Sequence, residues 1–238
     1  MSLNPPIIYL ITSGTATSPE GILPLIQAAV DAEVSLIQIR EKSLNARALY
    51  ALTARAASIT RGSKTRLLVN DRADIAHAAG ADGVHLTTQS LPAGVVRKMF
   101  GAEFLIGVST HSVAEAQAAR SGGADFVVFG PVFDTESKRI FGEPQGLERL
   151  RAVTSELQAF PVLAIGGVTL ENAKKLSTVM TIIGGTQSGK MIRGNTPHVD
   201  APSMRAASSS WMGMVMMYWR VRKTKKASAK NAGTIRGR

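Results

Sequence analysis

Five residues near the first fifth of the chain, Gln38-Ile39-Arg40-Glu41-Lys42, put two cations and an amide within one short run. If the run ends a β-strand, alternation turns Gln38, Arg40 and Lys42 to one side. A planar guanidinium fork beside a compact ammonium suits a mono- or diphosphate. An ion-paired rim built with Glu41 is the alternative. Asn70-Asp71-Arg72 offers an amide and a carboxylate that can hold Mg²⁺ together with water and substrate oxygens, or else Asp71 is a helix N-cap. In Ser109-Thr110-His111, His111 is a candidate acid–base near neutral pH and Ser109 a hydroxyl for a phosphate or a ring; a plain polar loop would carry the same residues. Beyond Gly130-Pro131, Thr135, Ser137 and Lys138 read as an anion clamp, and Phe141 to Gly146 as a lid. Gly166-Gly167 expose backbone amides of the kind that bind phosphate after late strands of barrels. His85 has no second histidine spaced to join it, so it reads as structural or substrate-lining rather than as a metal ligand.

Elements that would position these groups recur in a fixed order. Apolar β-rich runs stand at Ile7 to Thr12, Ser35 to Arg40, Arg66 to Asn70, Gly83 to Leu86, Phe104 to Ser109, Phe126 to Val132 and Pro161 to Gly167, with Thr178 to Gly184 as a poorer eighth. Between most of them lie stretches of helical composition: Ser18 to Glu33, Leu44 to Arg61, Leu91 to Phe100, Ser112 to Ser121, Leu147 to Gln158 and Leu170 to Ser177. This βα alternation predicts a parallel sheet. Ala79-Gly80-Ala81-Asp82-Gly83-Val84 and Gly122-Gly123-Ala124-Asp125-Phe126-Val127 echo one another, each a helix-ending glycine, a small residue, an Asp and a strand. A closed barrel and an open doubly wound sheet both fit this order.

Composition sets the boundaries. No cysteine occurs among the 238 residues, which excludes disulfides, thiolate metal sites and a cysteine nucleophile and accords with a cytoplasmic setting. Neither a signal peptide nor a spanning run of about 18 apolar residues is evident, so no membrane partner is expected. The net charge of +11 is unevenly placed: residues 174–238 hold 13 Lys or Arg against the single Asp200, whereas residues 1–173 hold 15 against 16 Asp or Glu. The body is neutral and the tail basic. Seven of the nine methionines and both tryptophans follow Lys175, and Arg220 to Arg238 has the composition of a disordered segment. The expected organisation is therefore a βα body over 1–190 and an atypical, Met-rich then basic extension over 191–238. Gly184 to Lys190 mimics a phosphate-binding loop, but Met191 stands where the Ser or Thr facing Mg²⁺ belongs.

Six segments in order carry a family resemblance: Gln38 to Lys42, Val69 to Arg72, Gly80 to Leu86, Gly107 to His111, Phe129 to Phe133 with Thr135 to Lys138, and Ala164 to Val168. Over about residues 7 to 173 the chain resembles the thiamine phosphate synthase/TenI superfamily. That resemblance implies an α/β, (β/α)8 TIM barrel with its site at the C-terminal ends of the strands. It further implies a transferase of thiamine biosynthesis that couples hydroxymethylpyrimidine diphosphate to a thiazole phosphate and releases pyrophosphate. By matching position, Gln38, Arg40, Lys42, Asn70, Ser109 and Lys138 would contact the pyrimidine diphosphate, Asp71 would ligate Mg²⁺, and Thr135, Ser137 and Gly167 would hold the thiazole phosphate. The family's second metal-ligating Asp is here Ser90. That change is closer to the TenI branch, whose metal-free thiazole tautomerase moves a proton with a histidine matching His111. The family's eighth strand, with its small-residue phosphate loop, has no counterpart. Either Thr178 to Gly184 substitutes for it, or the reading frame changes after about Asn172. Three functions follow in order: the synthase, the tautomerase, and an inactive barrel whose basic tail binds nucleic acid weakly. The sequence leaves a homodimer open.

Overall fold

A computed structural model of the chain describes residues 7–14, 21–134, 143–169, 172, 175–176 and 214–218. Seven parallel strands follow one another around a curled sheet: β1 (Ile7–Ile11), β2 (Leu36–Ile39), β3 (Arg66–Asn70), β4 (Gly83–Leu86), β5 (Leu105–Thr110), β6 (Phe126–Phe129) and β7 (Val162–Ala164). Helices α1 (Leu23–Asp31), α2 (Ala46–Thr60), α3 (Ala73–Ala78), α4 (Ala93–Phe100), α5 (Val113–Ser121) and α6 (Gly146–Leu157) connect them in alternation. The expected order of strands and helices is present, and strands consecutive in sequence are neighbours throughout the sheet, which decides for barrel-like curling over a doubly wound sheet. β8 (Met214–Tyr218) comes from the Met-rich segment. It pairs antiparallel with both β1 and β7, and so closes the circle from the opposite direction. Thr178 to Gly184, the phosphate-loop mimic and Arg220 to Arg238 lie outside the described residues.

Two apolar layers hold the sheet. Inside it, Ile7, Tyr9, Leu36, Leu68, Phe126 and Leu163 form one buried cluster. Outside it, residues such as Ile37, Val69, Val84, Ile106 and Val127 pack with Leu52, Ala56, Val96 and Leu150 of the surrounding helices. Strands buried on both faces explain the continuous apolar runs in the sequence. Each fully buried aliphatic side chain contributes about 1.5–3 kcal/mol from burial, which chain entropy largely offsets. Interior packing is tight at Gly107, where a Cβ would fall within the Phe126 ring on the neighbouring strand; only glycine lets that ring lie across β5.

Local signals set the helix starts near the C-terminal ends of the strands. Asn45 caps α2 by accepting from Ala48 N at 2.9 Å. Ser112 caps α5 by accepting from Glu115 N at 3.1 Å, and Glu115 Oε2 reaches back to accept from His111 N at 2.7 Å, a reciprocal arrangement close to a capping box. It anchors the backbone of His111. At the opposite rim, the echoed aspartates act alike. Asp82 accepts from Leu67 N at 2.8 Å and from Arg66 Nη1 at 2.9 Å, while Asp125 accepts from Ile106 N and from Arg97 Nη2, both at 2.7 Å. Each carboxylate thus ties the strand it precedes to its neighbour, and each of the two glycines before it, Gly80 and Gly123, has positive φ. The echo is a structural device of the barrel floor.

Candidate active site

Strand register brings the polar residues to one mouth. Ile11 faces Gln38 across β1 and β2, Asn70 faces His85 across β3 and β4, and His85 faces Gly107 across β4 and β5. Paired residues of neighbouring strands share a face of the sheet, so Asn70, His85, Gly107 and Phe126 form one inward row. His85 is buried among aromatic neighbours, its ring centroid 5.8 Å from that of Tyr9 and 6.2 Å from that of Phe126.

Gln38 is buried and donates from Nε2 to the Tyr9 hydroxyl at 3.0 Å. Burial holds the Tyr9 phenol well above its ordinary pKa, opposed only in part by that bond, so Tyr9 remains a neutral partner. The amide of Gln38 is thereby fixed with its carbonyl oxygen left as acceptor. One turn of the strand further, Arg40 is held by its backbone N–H donating to Thr12 Oγ1 at 2.9 Å. The guanidinium lies over Gly14, where a Cβ would come within 3.2 Å of Nη1. Glu41, the partner expected in the ion-pair alternative, is buried and accepts from Gly14 N at 3.2 Å. Lys42 is exposed at the same rim.

Asn70 ends β3, and the next residue, Asp71, has φ of 63° and donates its backbone N–H to His85 O at 2.9 Å. The N-cap of α3 is Arg72, and no side-chain cap bond is made there. The capping alternative for Asp71 therefore does not describe this turn. Arg72 instead pairs with Asp74, Nη2 to Oδ2 at 2.6 Å, which lowers the pKa of Asp74 and leaves Asp71 exposed at the mouth.

His85 Nε2 and Ser109 Oγ are hydrogen-bonded at 2.8 Å. Burial, with the positive charge of Arg40 acting in the same direction, pushes the His85 pKa down to about 3; the ring is neutral at physiological pH. Its Nδ1 is buried without a hydrogen-bond partner, a desolvation cost of about 1–3 kcal/mol. Strand pairing from β2 through β5, and the bond of His85 to Ser109, place the ends of these strands around one opening. His111 extends it: Nδ1 lies 2.5 Å from the Gly130 carbonyl oxygen after β6. The segments after β6 and β7 are then laced together, Val132 N donating to Ile165 O at 2.7 Å and Phe133 N to Gly166 O at 3.0 Å. Gly167, at φ of 62°, lies against the Phe133–Asp134 backbone where no Cβ would fit.

Of the residues singled out from the sequence, Gln38, Arg40, Lys42, Asn70, Asp71, Ser109, His111 and Gly167 lie along this rim from β2 to β7. Thr135, Ser137 and Lys138 lie outside the described residues. Tyr9, Thr12 and Glu115 escaped sequence reasoning, and of these only Tyr9 left a signal, as the one polar-tipped residue in the aliphatic run Ile7-Ile8-Tyr9-Leu10-Ile11.

Metal capacity rests on few donors. Among the described residues no group of three His, Cys, Asp or Glu converges. Ser90 Oγ accepts from Thr87 N at 2.7 Å and is 3.1 Å from Thr87 Oγ1, so its hydroxyl serves the local turn. One carboxylate, Asp71, fits Mg²⁺ that is coordinated chiefly by substrate phosphate and water, and does not fit a protein-caged ion. No helix among the described residues is long and apolar enough to cross a membrane.

Comparison with known proteins agrees with this geometry. Residues 8–181 match the family model described as thiamine monophosphate synthase. A thiamine-phosphate synthase of Clostridium novyi is 37% identical over 71% of this chain and 82% of its own length. One from Roseiflexus is 40% identical over 70% of each chain. The solved structure of a thiamine phosphate pyrophosphorylase from Pyrococcus furiosus superposes with a TM-score of 0.62 at 30% identity, covering 72% of this chain and 80% of that one. With an extended match to the model and relatives covered over most of their length, the chain belongs to the thiamine monophosphate synthase family.

Proposed function

We propose that this protein is a thiamine phosphate synthase that joins hydroxymethylpyrimidine diphosphate to a thiazole phosphate and releases pyrophosphate. The observation that carries the reading is the single mouth at the C-terminal ends of successive strands, where Arg40 follows β2, Asp71 follows β3 and Ser109 stands in β5, the last two both bonded to His85. In the reaction the bond between the pyrimidine methylene carbon and the diphosphate oxygen breaks, and its electron pair leaves with pyrophosphate. The thiazole nitrogen lone pair then forms the new C–N bond to the cationic carbon. Such a reaction asks the protein mainly for charge and position. Arg40 and Lys42 would stabilise the departing pyrophosphate, with Lys138 by resemblance. The Gln38 carbonyl oxygen, fixed by Tyr9, would accept from the ring amino group, and Asn70 and Ser109 would complete the pyrimidine contacts. Thr135, Ser137 and the backbone amide of Gly167 would hold the thiazole phosphate. Mg²⁺ bound with the diphosphate at Asp71 would add positive charge beside the leaving group.

The same reading takes the body to be a (β/α)8 barrel whose eighth unit is atypical, β8 standing where a parallel strand and helix are the rule. A closing strand matters because open edges on β1 and β7 would leave unpaired backbone groups. The activity is tested by supplying both substrates with Mg²⁺ and measuring pyrophosphate. Release in step with thiamine phosphate, and at least tenfold above Lys42→Ala, is expected; equal release by the two proteins removes the assignment.

One observation favours a second activity, thiazole tautomerisation. His111 hydrogen-bonds Gly130 O through Nδ1, which as a donor leaves Nε2 unprotonated and able to take a proton from a carboxythiazole phosphate. Metal-free isomerisation that survives His111→Ala would reject this.

A further inference from the structure

His85 has been given no contact with a substrate, yet its side chain is buried at the mouth. It sits in β4, its ring packed with those of Tyr9 and Phe126, which also touch each other, and its side chain makes one hydrogen bond, to Ser109 Oγ. Its one polar side-chain contact is Ser109, on the neighbouring strand β5. We propose that His85 is a positioning residue that fixes the direction of the Ser109 hydroxyl. Through its Nε2–H tautomer it would make Ser109 a hydrogen-bond donor to the bound pyrimidine diphosphate.

The tautomer follows from which group is left unpaired. If Ser109 donated to Nε2, Nδ1 would carry the ring hydrogen, and a buried N–H would have no acceptor. Orphaned buried N–H groups are rare in folded proteins, under-satisfied acceptors less so. With the hydrogen on Nε2, the unpaired atom is a bare nitrogen. Ser109 then accepts from His85 and keeps its own O–H for the ligand. The ligand the mouth is built for is rich in acceptors: diphosphate oxygens and ring nitrogens. A hydroxyl forced to be an acceptor would suit it poorly.

The inference rests on the synthase reading of the mouth, and a double-mutant cycle separates the two. With the full-length protein, His85→Phe keeps ring volume and removes the bond; His85→Gln carries an amide N–H to about the place of Nε2. Ser109→Ala is expected to raise the KM for the pyrimidine diphosphate about tenfold. His85→Phe should do nearly the same, and His85→Gln should recover most of the loss. Placed in Ser109→Ala, His85→Phe should change KM by less than twofold. A full tenfold effect in both backgrounds would show that His85 acts on folding or packing generally and would overturn the proposal. Nitrogen-15 spectra of the wild-type protein give a second readout independent of turnover: a protonated Nε2 and a bare Nδ1 are expected, and a protonated Nδ1 overturns the donor assignment. Should His85→Phe fail to fold, the Gln variant and the spectra decide. Wild-type protein that releases no pyrophosphate defeats the synthase reading, while the spectra still judge the tautomer.

Discussion

The two rims of the barrel both carry charged residues and use them in opposite ways. At the floor, Asp82 and Asp125 each accept from a strand amide and an arginine, and Arg97 also donates to the carbonyl oxygens of Gly101, Phe104 and Gly123. Those groups are satisfied within the protein and close the ends of the strands. At the mouth, Lys42 and Asp71 are exposed, Gln38 holds back an acceptor, and His85 buries a nitrogen with no partner. The difference teaches how to tell structural charge from functional charge: a polar group completed by its own fold is part of the scaffold, and one held in place but incomplete awaits a ligand.

If this division holds, substitutions at the two rims should fail differently. Removing a mouth cation has the largest effect on activity: Arg40→Ala should lower kcat/KM for pyrophosphate release by about 10²–10³, the range for losing one preorganised donor, with the unfolding midpoint unchanged. At the floor, Asp125→Ala strands Ile106 N and removes the carboxylate that pairs with Arg97. It should cost about 2–4 kcal/mol in urea unfolding while the folded fraction keeps wild-type kcat; a selective loss of kcat would break the division.

A smaller effect concerns His85. The folded ring stays neutral down to pH about 3, whereas the unfolded ring binds a proton below about 6.5. The unfolded state therefore takes up the extra proton, and stability from this group falls as pH drops from about 6.5 toward 3, by at most about 1.4 kcal/mol per pH unit. The slope of unfolding free energy against pH should be shallower in His85→Gln by up to that amount; identical slopes would contradict the buried neutral ring. The smallest change is expected at Ser90. Because its hydroxyl serves Thr87, Ser90→Ala should shift the Mg²⁺ concentration for half-maximal activity by less than about twofold, as one neutral local hydrogen bond contributes only about 1 kcal/mol. A tenfold shift would make Ser90 a ligand after all.

Legibility in the sequence followed the range of the forces involved. β3 and β4 coincide with the runs Arg66 to Asn70 and Gly83 to Leu86, because burial on both faces writes itself as contiguous apolar residues. The run Pro161 to Gly167 shortens to Val162–Ala164: Ile165 and Gly166 turn their carbonyls to the segment after β6, and both glycines adopt positive φ. Helix α3 is marked in the sequence only at its ends, by Asp71 and Gly80, because six residues, Ala73–Ala78, are too few to show a helical period. β8 is the clearest failure. Met214–Tyr218 has no alternation to mark it, and its pairing with β1 spans some two hundred residues of chain, a distance over which local pattern carries no information.

At the site, side-chain types and spacing were legible, since Gln38, Arg40 and Lys42 follow strand alternation and Asn70, Asp71 and Ser109 stand at the ends of apolar runs. Their supports were not. Tyr9 meets Gln38 from 29 residues away and His85 meets Ser109 from 24, so neither partnership has a local signature. The two echoed aspartates looked like a repeat motif, and their role as strand ties depended on Arg66 and Arg97 arriving from other elements.

Amide hydrogen exchange with the pyrimidine diphosphate and Mg²⁺ added to the full-length protein bears on the central claim most directly. The account predicts slowed exchange at Arg40 to Lys42, Asn70 to Arg72 and Ser109 to His111, with Asp82 and Asp125 unchanged. Slowing confined to the floor, or spread evenly over both rims, would contradict it.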